Sequence, residues 1–219
     1  MKFLYHEEAG NEDVIVSGEK LSHLKVRRVF LNDTLLLRNL KDAKEYVYII
    51  THISKKEISL SLDCKLPLEE ENKKLHIYWS IIDPKEIEKT LPLLNEIGVS
   101  DITFFYASRS QRNFKLNLDK LNKILISSSQ QCGRNSIINI DFSDSIDSII
   151  DEDFVVIDFS EQKLSFEVSN IHSVLVGPEG GFTDVERELL KNKTTLGLNT
   201  NNILRSRTTV VCVSSKILL

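Results

Sequence analysis

Cysteine is scarce in this chain of 219 residues: there are three, Cys64, Cys132 and Cys212, odd in number, far apart and without a CxxC spacing. That disfavours both a disulfide framework and a zinc site, so all three read as structural thiols and no metal is expected. No apolar run is long enough to cross a bilayer. The opening residues Met1-Lys2-Phe3-Leu4-Tyr5-His6-Glu7-Glu8 lack a signal peptide's apolar core and small-residue cleavage site, so a cytoplasmic protein with no membrane partner is expected. Excess positive charge is absent as well. A formal net charge of -4 and a pI near 5.8 argue against coating nucleic acid by bulk charge, while leaving room for a local basic surface. There is no internal repeat, no low-complexity tract, no GxGxxG, no P-loop and no pair of carboxylates suggesting hydrolysis. What is present is an ordinary globular composition, long enough for one large or two modest domains.

The first third carries short apolar or β-branched stretches at 13–16, 34–37, 45–53 and 57–62, separated by Asn, Asp, Gly and Lys, the pattern of a small antiparallel barrel or sandwich. Lys55-Lys56 reads as a hairpin turn. Between the first two stretches, Leu21, Leu24, Val26 and Val29 recur at helical spacing over 21–30, with His23, Lys25, Arg27 and Arg28 on a basic side. Leu66-Pro67-Leu68 and the polar run after it read as a linker, which places the domains at 1–72 and 73–219. The second part alternates strand-like runs at 75–82, 101–106, 154–159 and 173–176 with amphipathic segments at 84–96 and 118–132. Such alternation predicts an α/β fold with a mostly parallel sheet. Asp83-Pro84 opens the first of these helices and Gly98 closes it, with Pro92 expected to kink it or limit its first turns.

The densest signal is Gly177-Pro178-Glu179-Gly180-Gly181-Phe182-Thr183, between the apolar run Ser173-Val174-Leu175-Val176 and a charged helix-like segment. Three glycines in five residues let the loop turn sharply and lie close to a ligand. Thr183 is a candidate N-cap, and Glu186 three residues later completes a capping-box pattern. Strand, glycine loop and helix form a common cofactor site in α/β proteins, yet on glycine spacing alone a bare tight turn is an equally good reading. A second loop, running from Leu196-Gly197 to Ile203-Leu204-Arg205-Ser206, precedes a final helix over 206–219 with Val210, Val213 and Ile217 on one face.

Gly-Pro-Glu-Gly-Gly-Phe followed by Leu-Gly and Ile-Leu-Arg resembles the SPOUT methyltransferases and, within them, the RsmE family, which methylates uridine N3 in small-subunit ribosomal RNA. The resemblance extends over nearly the whole chain. His23 to Arg28 with Asn32-Asp33 is similar to the family's N-terminal signature, Asn95-Glu96-Ile97-Gly98-Val99 to its Thr-Glu-Leu-Gly-Val, Ser108-Arg109-Ser110 to its Glu-Arg-Ser, and Gln131-Cys132-Gly133-Arg134 to its Gln-x-x-Arg. The chain departs from the family at Ser206-Arg207-Thr208-Thr209, where a small residue and Glu-Thr-Ala are usual, at Leu93 in place of a lysine, and at Gln130 in place of a glutamate.

The resemblance implies a SPOUT-type α/β domain with a trefoil knot, preceded by a small PUA-like RNA-binding β-barrel. It implies S-adenosylmethionine as cofactor, contacted by Val176, Gly177, Gly180, Leu196, Gly197, Ile203 and Leu204. It also implies a homodimer, with the apolar face of the last helix as interface, acting on small-subunit ribosomal RNA or the 30S subunit. Methyl transfer to N3 requires an unpaired base held in line, with charge on its carbonyl oxygens stabilised, and a planar guanidinium does that well. Arg205 is the candidate catalytic residue. Arg109 and Arg134 are candidates for base or phosphate contact, and His23, Lys25, Arg27 and Arg28 for gripping phosphates. For an average arginine a surface ion pair is the better reading, and only its motif position raises Arg205 above it; for any single one of His23, Lys25, Arg27 and Arg28 a solvated helix face is as good a reading. Two other functions stay open: a SPOUT enzyme methylating another RNA, and a non-catalytic RNA-binding ribosome-assembly protein on the same fold.

Overall fold

The computed structural model of the chain describes residues 2–26, 28–69, 73–165 and 170–219, with the side chain of His23 outside that description. The chain forms two compact units, Met1–Glu70 with Ile126–Ile137, and Glu71–Leu125 with Ile138–Leu219.

The first unit contains β1 (Leu4–Tyr5), β2 (Asp13–Ser17), α1 (Gly18–Val26), β3 (Thr34–Arg38), β4 (Lys44–Ile53) and β5 (Glu57–Pro67). They form a five-stranded sheet in the order β1-β3-β4-β5-β2, antiparallel except where β1 joins β3. Alternation sets its inner face: Val14 and Val16, Tyr46, Tyr48 and Ile50, and Ile58 and Leu60 are buried together with Leu21 and Leu24 of α1. The helix expected over 21–30 ends at Val26, which is 86% exposed, and Arg28 takes a positive φ of 54°. Val26 lies two residues past the buried Leu24, roughly 200° around the helix, so it cannot share that face. The expected linker also begins later. β5 continues to Pro67, paired with Lys44, and the Leu68 N–H reaches the Ala43 carbonyl. Ile126–Ile137, which the sequence puts in 73–219, belongs with the first unit: the Gln130 carbonyl accepts from the Lys2 N–H and its side-chain oxygen from the Tyr5 N–H, both at 2.7 Å.

The second unit contains β6 (His76–Ser80), α2 (Pro84–Ile97), β7 (Asp101–Phe105), the start of α3 (Leu118–Cys132), β8 (Asn139–Ser143), β9 (Val155–Ile157), β10 (Ser173–Val176), α4 (Asp184–Leu189), β11 (Thr195–Leu196) and α5 (Ser206–Leu218). Its sheet runs β11-β9-β10-β6-β7-β8 with every neighbouring pair parallel. The central strands are near-continuous apolar runs, with Ile77, Trp79, Phe104, Phe105, Val174 and Leu175 buried, as expected of a sheet covered on both faces. α2 starts where the Asp83 carboxylate accepts from the Lys85 N–H at 2.8 Å and stops at left-handed Gly98, continuing through Pro92. Its Ile87, Leu91 and Leu94 point inward, each burial stabilising by about 1.5–3 kcal/mol.

α5 packs on α2 and β10, and its Val210 and Val213 are fully buried within the subunit. Val210 and Val213 of the expected dimer face are thus used inside the chain, while Ile217 of that face stays part-exposed.

Candidate functional site

Three parallel strands end side by side: Ile157 of β9 pairs with Val176 of β10 on one side and with Leu196 of β11 on the other. The residues that follow these ends are Gly177, Asp158 and Gly197. Beyond them lies a cavity of about 370 Å³, also lined by Arg109, Phe159, Lys163, the loop through Phe182, Arg187, and Ile203, Leu204 and Ser206. A crevice outside the carboxyl ends of strands is where open α/β sheets bind ligands, and this volume falls within the ordinary range for small-molecule sites.

The glycine loop is held from three directions. Ser206, the first residue of α5, donates its hydroxyl to the Gly177 carbonyl at 2.6 Å and accepts from Trp79 Nε1 at 2.9 Å. The Glu179 carboxylate accepts from the Ser206 N–H at 3.3 Å, which makes it a brace for the start of α5. Arg109 donates to the Gly180 carbonyl at 2.5 Å and more weakly to that of Phe182 at 3.4 Å. On the far side Thr183 caps α4 in a complete capping box with Glu186. The buried Glu186 carboxylate also accepts from the Ser108 N–H at 2.7 Å, which ties the β7–α3 loop to the glycine loop. Burial pushes the Glu186 carboxyl up, but the hydrogen bonds from Ser108 and Thr183 outweigh it and hold its pKa below the ordinary carboxylate value.

The glycines answer first to the protein's own packing. A Cβ on Gly197 would stand 2.7 Å from the Ser160 carbonyl oxygen, because the chain after β9 bridges Gly197 at Lys163. A Cβ on Gly177 would meet the Phe182 ring at 3.1 Å, and Gly181 has a φ of +67°.

Of the residues proposed for a cofactor, Val176, Gly177, Gly180, Gly197, Ile203 and Leu204 line the cavity. Leu196 does not; it is buried beneath, its carbonyl accepting from the Asp158 N–H at 3.2 Å. Arg205 is exposed between the lining residues Leu204 and Ser206, with no hydrogen-bond partner for its guanidinium among the described residues. Arg109 lines the cavity with its guanidinium on the loop carbonyls. Arg134 belongs to the first unit, buried, with Nε donating to Ser136 Oγ at 3.0 Å. In that unit Lys25 is exposed and its ammonium reaches the Lys55 carbonyl at 2.6 Å, while Arg28 is exposed. Arg27 and the side chain of His23 lie outside the described residues. Sequence reasoning missed Asp158, Arg187, Trp79 and Ser206. Ser206 adjoins the Ile-Leu-Arg motif and could have been found there; the others meet only through the fold.

Residues 69–218 match the model of the RNA methyltransferase domain family. Ribosomal RNA small subunit methyltransferase E of Helicobacter pylori strain J99 is 38% identical over 222 residues, covering 98% of both chains. The chain belongs to the RsmE family of RNA methyltransferases. The RsmE protein of Aquifex aeolicus is more distant, at 26% identity over 88% of each chain. The fold is the RsmE one: the crystal structure of the Neisseria gonorrhoeae enzyme, bound to S-adenosyl methionine, superimposes with a TM-score of 0.81 at 20% identity, covering 98% of this chain and 96% of that one. The departure from the RsmE pattern at Arg207 has a local partner. Its guanidinium pairs with Glu86 of α2, offsetting the cost of a cation in the first turn of α5.

Among the described residues no group of three or more His, Cys, Asp or Glu is placed to hold a metal, and no helix is long and apolar enough to cross a membrane.

Proposed function

We propose that this RsmE-family chain is an S-adenosylmethionine-dependent methyltransferase of small-subunit ribosomal RNA, acting on uridine N3 in the cytoplasm. The observation that carries the reading is the cavity bounded by Gly177, Gly180 and Gly197 at the carboxyl ends of β9, β10 and β11. Its donors and surfaces suit such a cofactor. Apolar Ile157, Val176, Leu198 and Leu204 offer walls for a purine. S-adenosylmethionine held there supplies an electrophilic methyl group.

The protein's own part is placement. Arg109, bonded to the Gly180 carbonyl, fixes the loop whose backbone faces the cavity. Ser206 and Glu179 fix the start of α5, so that Arg205 is presented at the edge of the cavity, open to solvent and to a base brought from RNA. Its guanidinium stabilises negative charge on the uracil carbonyl oxygens as the N3 proton leaves. Lys25 and Arg28, with His23 and Arg27 beside them in sequence, grip phosphates and position the RNA without reading its sequence. Arg134, being buried, supports the first unit's fold and reaches RNA only if that site opens. The working form is a homodimer whose interface lies off the buried Val210 and Val213 face.

The test is methyl transfer from labelled S-adenosylmethionine to 30S subunits lacking the modification, followed by nucleoside digestion. Label in N3-methyluridine is the expected result. Label in a ribose 2′-O-methyl or in transfer RNA overturns the stated specificity, and no label in any RNA overturns the enzyme reading.

A further inference from the structure

Among the described residues, two of the side chains lining the cavity are acidic, Asp158 and Glu179. Glu179 is committed to the first N–H of α5. Asp158 is placed differently. It follows the paired end of β9, directly between the two strands that lead into Gly177 and Gly197, and it lines the cavity. Its side chain is only 11% exposed. One oxygen accepts from Arg187 Nε at 2.9 Å and the other from Arg187 Nη2 at a long 3.5 Å. A carboxylate offers about four lone-pair sites, so two good acceptor positions remain, held in a fixed orientation by the guanidinium.

Charge decides what those positions suit. Arg187 already neutralises Asp158, and Lys163 and Arg109 line the same cavity. A second cation is therefore not called for, whereas neutral hydroxyl donors fill the open lone pairs without unbalancing the site. Two adjacent hydroxyls on one ring match the two oxygens of one carboxylate. A carboxylate at the end of the strand beside the glycine-loop strand serves ribose hydroxyls in the same way in dinucleotide-binding sheets.

We propose that Asp158, oriented by Arg187, is the acceptor for the ribose cis-diol of the adenosyl group in this cavity. This rests on the cofactor reading above and adds a ribose subsite to it.

The test is calorimetric titration of the full-length wild type, Asp158→Ala and the isosteric Asp158→Asn with three probes. These are S-adenosylhomocysteine, its 2′,3′-dideoxy analogue, and 5′-methylthioadenosine, which keeps the ribose but lacks the amino-acid end. Hydrogen bonds to a charged group correspond to roughly a tenfold or greater change in affinity. The wild type is expected to prefer the ribose compound over the dideoxy analogue by at least about that factor. Asp158→Ala should erase the preference and weaken methylthioadenosine equally, and Asp158→Asn should reduce the preference at an unchanged unfolding midpoint. A wild type that does not distinguish the first two probes overturns the proposal. So does a loss in Asp158→Ala that persists with the dideoxy analogue and vanishes with methylthioadenosine, because it would assign Asp158 to the amino group. Failure of the folded wild type to bind any probe overturns the cofactor reading itself, and the ribose subsite with it.

Discussion

The Ser206 hydroxyl and the Gly177 carbonyl are 2.6 Å apart, and the same hydroxyl accepts from buried Trp79 Nε1. One small side chain thus joins β6 to the glycine loop and the first turn of α5, the last two of which border the cavity. Ser206→Ala leaves a buried indole N–H and a carbonyl without their partner, which costs about 1–3 kcal/mol. Denaturant unfolding should show that loss, and Ser206→Cys should recover only part of it because a thiol is the weaker donor.

The Glu186 carboxylate gives the site a pH dependence. Its folded-state pKa lies below the ordinary value because of the Ser108 and Thr183 bonds, so its contribution is complete above the unfolded pKa of about 4.3. It is lost as the pH falls through the lower, folded pKa. Glu186→Gln should destabilise the protein near neutrality and flatten the acid limb of its stability curve. An acid limb unchanged from wild type would show that other carboxylates set it.

The glycines should separate by what their Cβ atoms meet. Gly197→Ala pushes a methyl against the Ser160 backbone carbonyl, which has little freedom to yield, and overpacking of this kind costs about 1–3 kcal/mol. Gly180→Ala meets only the flexible Arg109 side chain, at 3.1 Å. It should unfold near the wild-type midpoint. Thermal denaturation of the two variants side by side gives the comparison.

How much of this was legible beforehand follows from the range of each interaction. The capping box at Thr183 and Glu186, the Asp83 cap and the Gly98 stop of α2 all lie within a few residues, and each was readable from sequence. So were the strands whose side chains alternate or run apolar. β8 escaped because it is an edge strand with a largely polar sequence, and β11 because it is two residues long. The extension of β5 to Pro67 escaped because its last residues are exposed and so carry no hydrophobic signal. The glycine loop was legible, but the physical demand for its glycines was not: Phe182, Arg109 and Ser160 are named only by the fold. The same holds for Asp158 with Arg187, 29 residues apart, and for Arg207 with Glu86, 121 apart.

The Arg207 and Glu86 pair is partly exposed, so Arg207→Ala should cost only about 0.2–1 kcal/mol. Restoring a glutamate alone, Arg207→Glu, sets two carboxylates together and should destabilise more than alanine does. Adding Glu86→Lys to it should recover the loss, with the recovery shrinking as salt is raised. A double-mutant cycle by thermal unfolding measures the coupling, and a coupling of zero would mean the pair offsets nothing in α5.

On the proposed function, the cavity between Gly177, Asp158 and Gly197 binds S-adenosylmethionine. Isothermal titration of wild type and Gly180→Val, both first shown to be folded by their unfolding midpoints, tests it most directly. The wild type should take up one cofactor per chain, and Gly180→Val should lose tenfold or more in affinity, on the order of 1.4 kcal/mol, because the valine displaces Arg109 and narrows the cavity. A folded wild type that takes up no cofactor, or a Gly180→Val protein that binds it as tightly as the wild type, would contradict it.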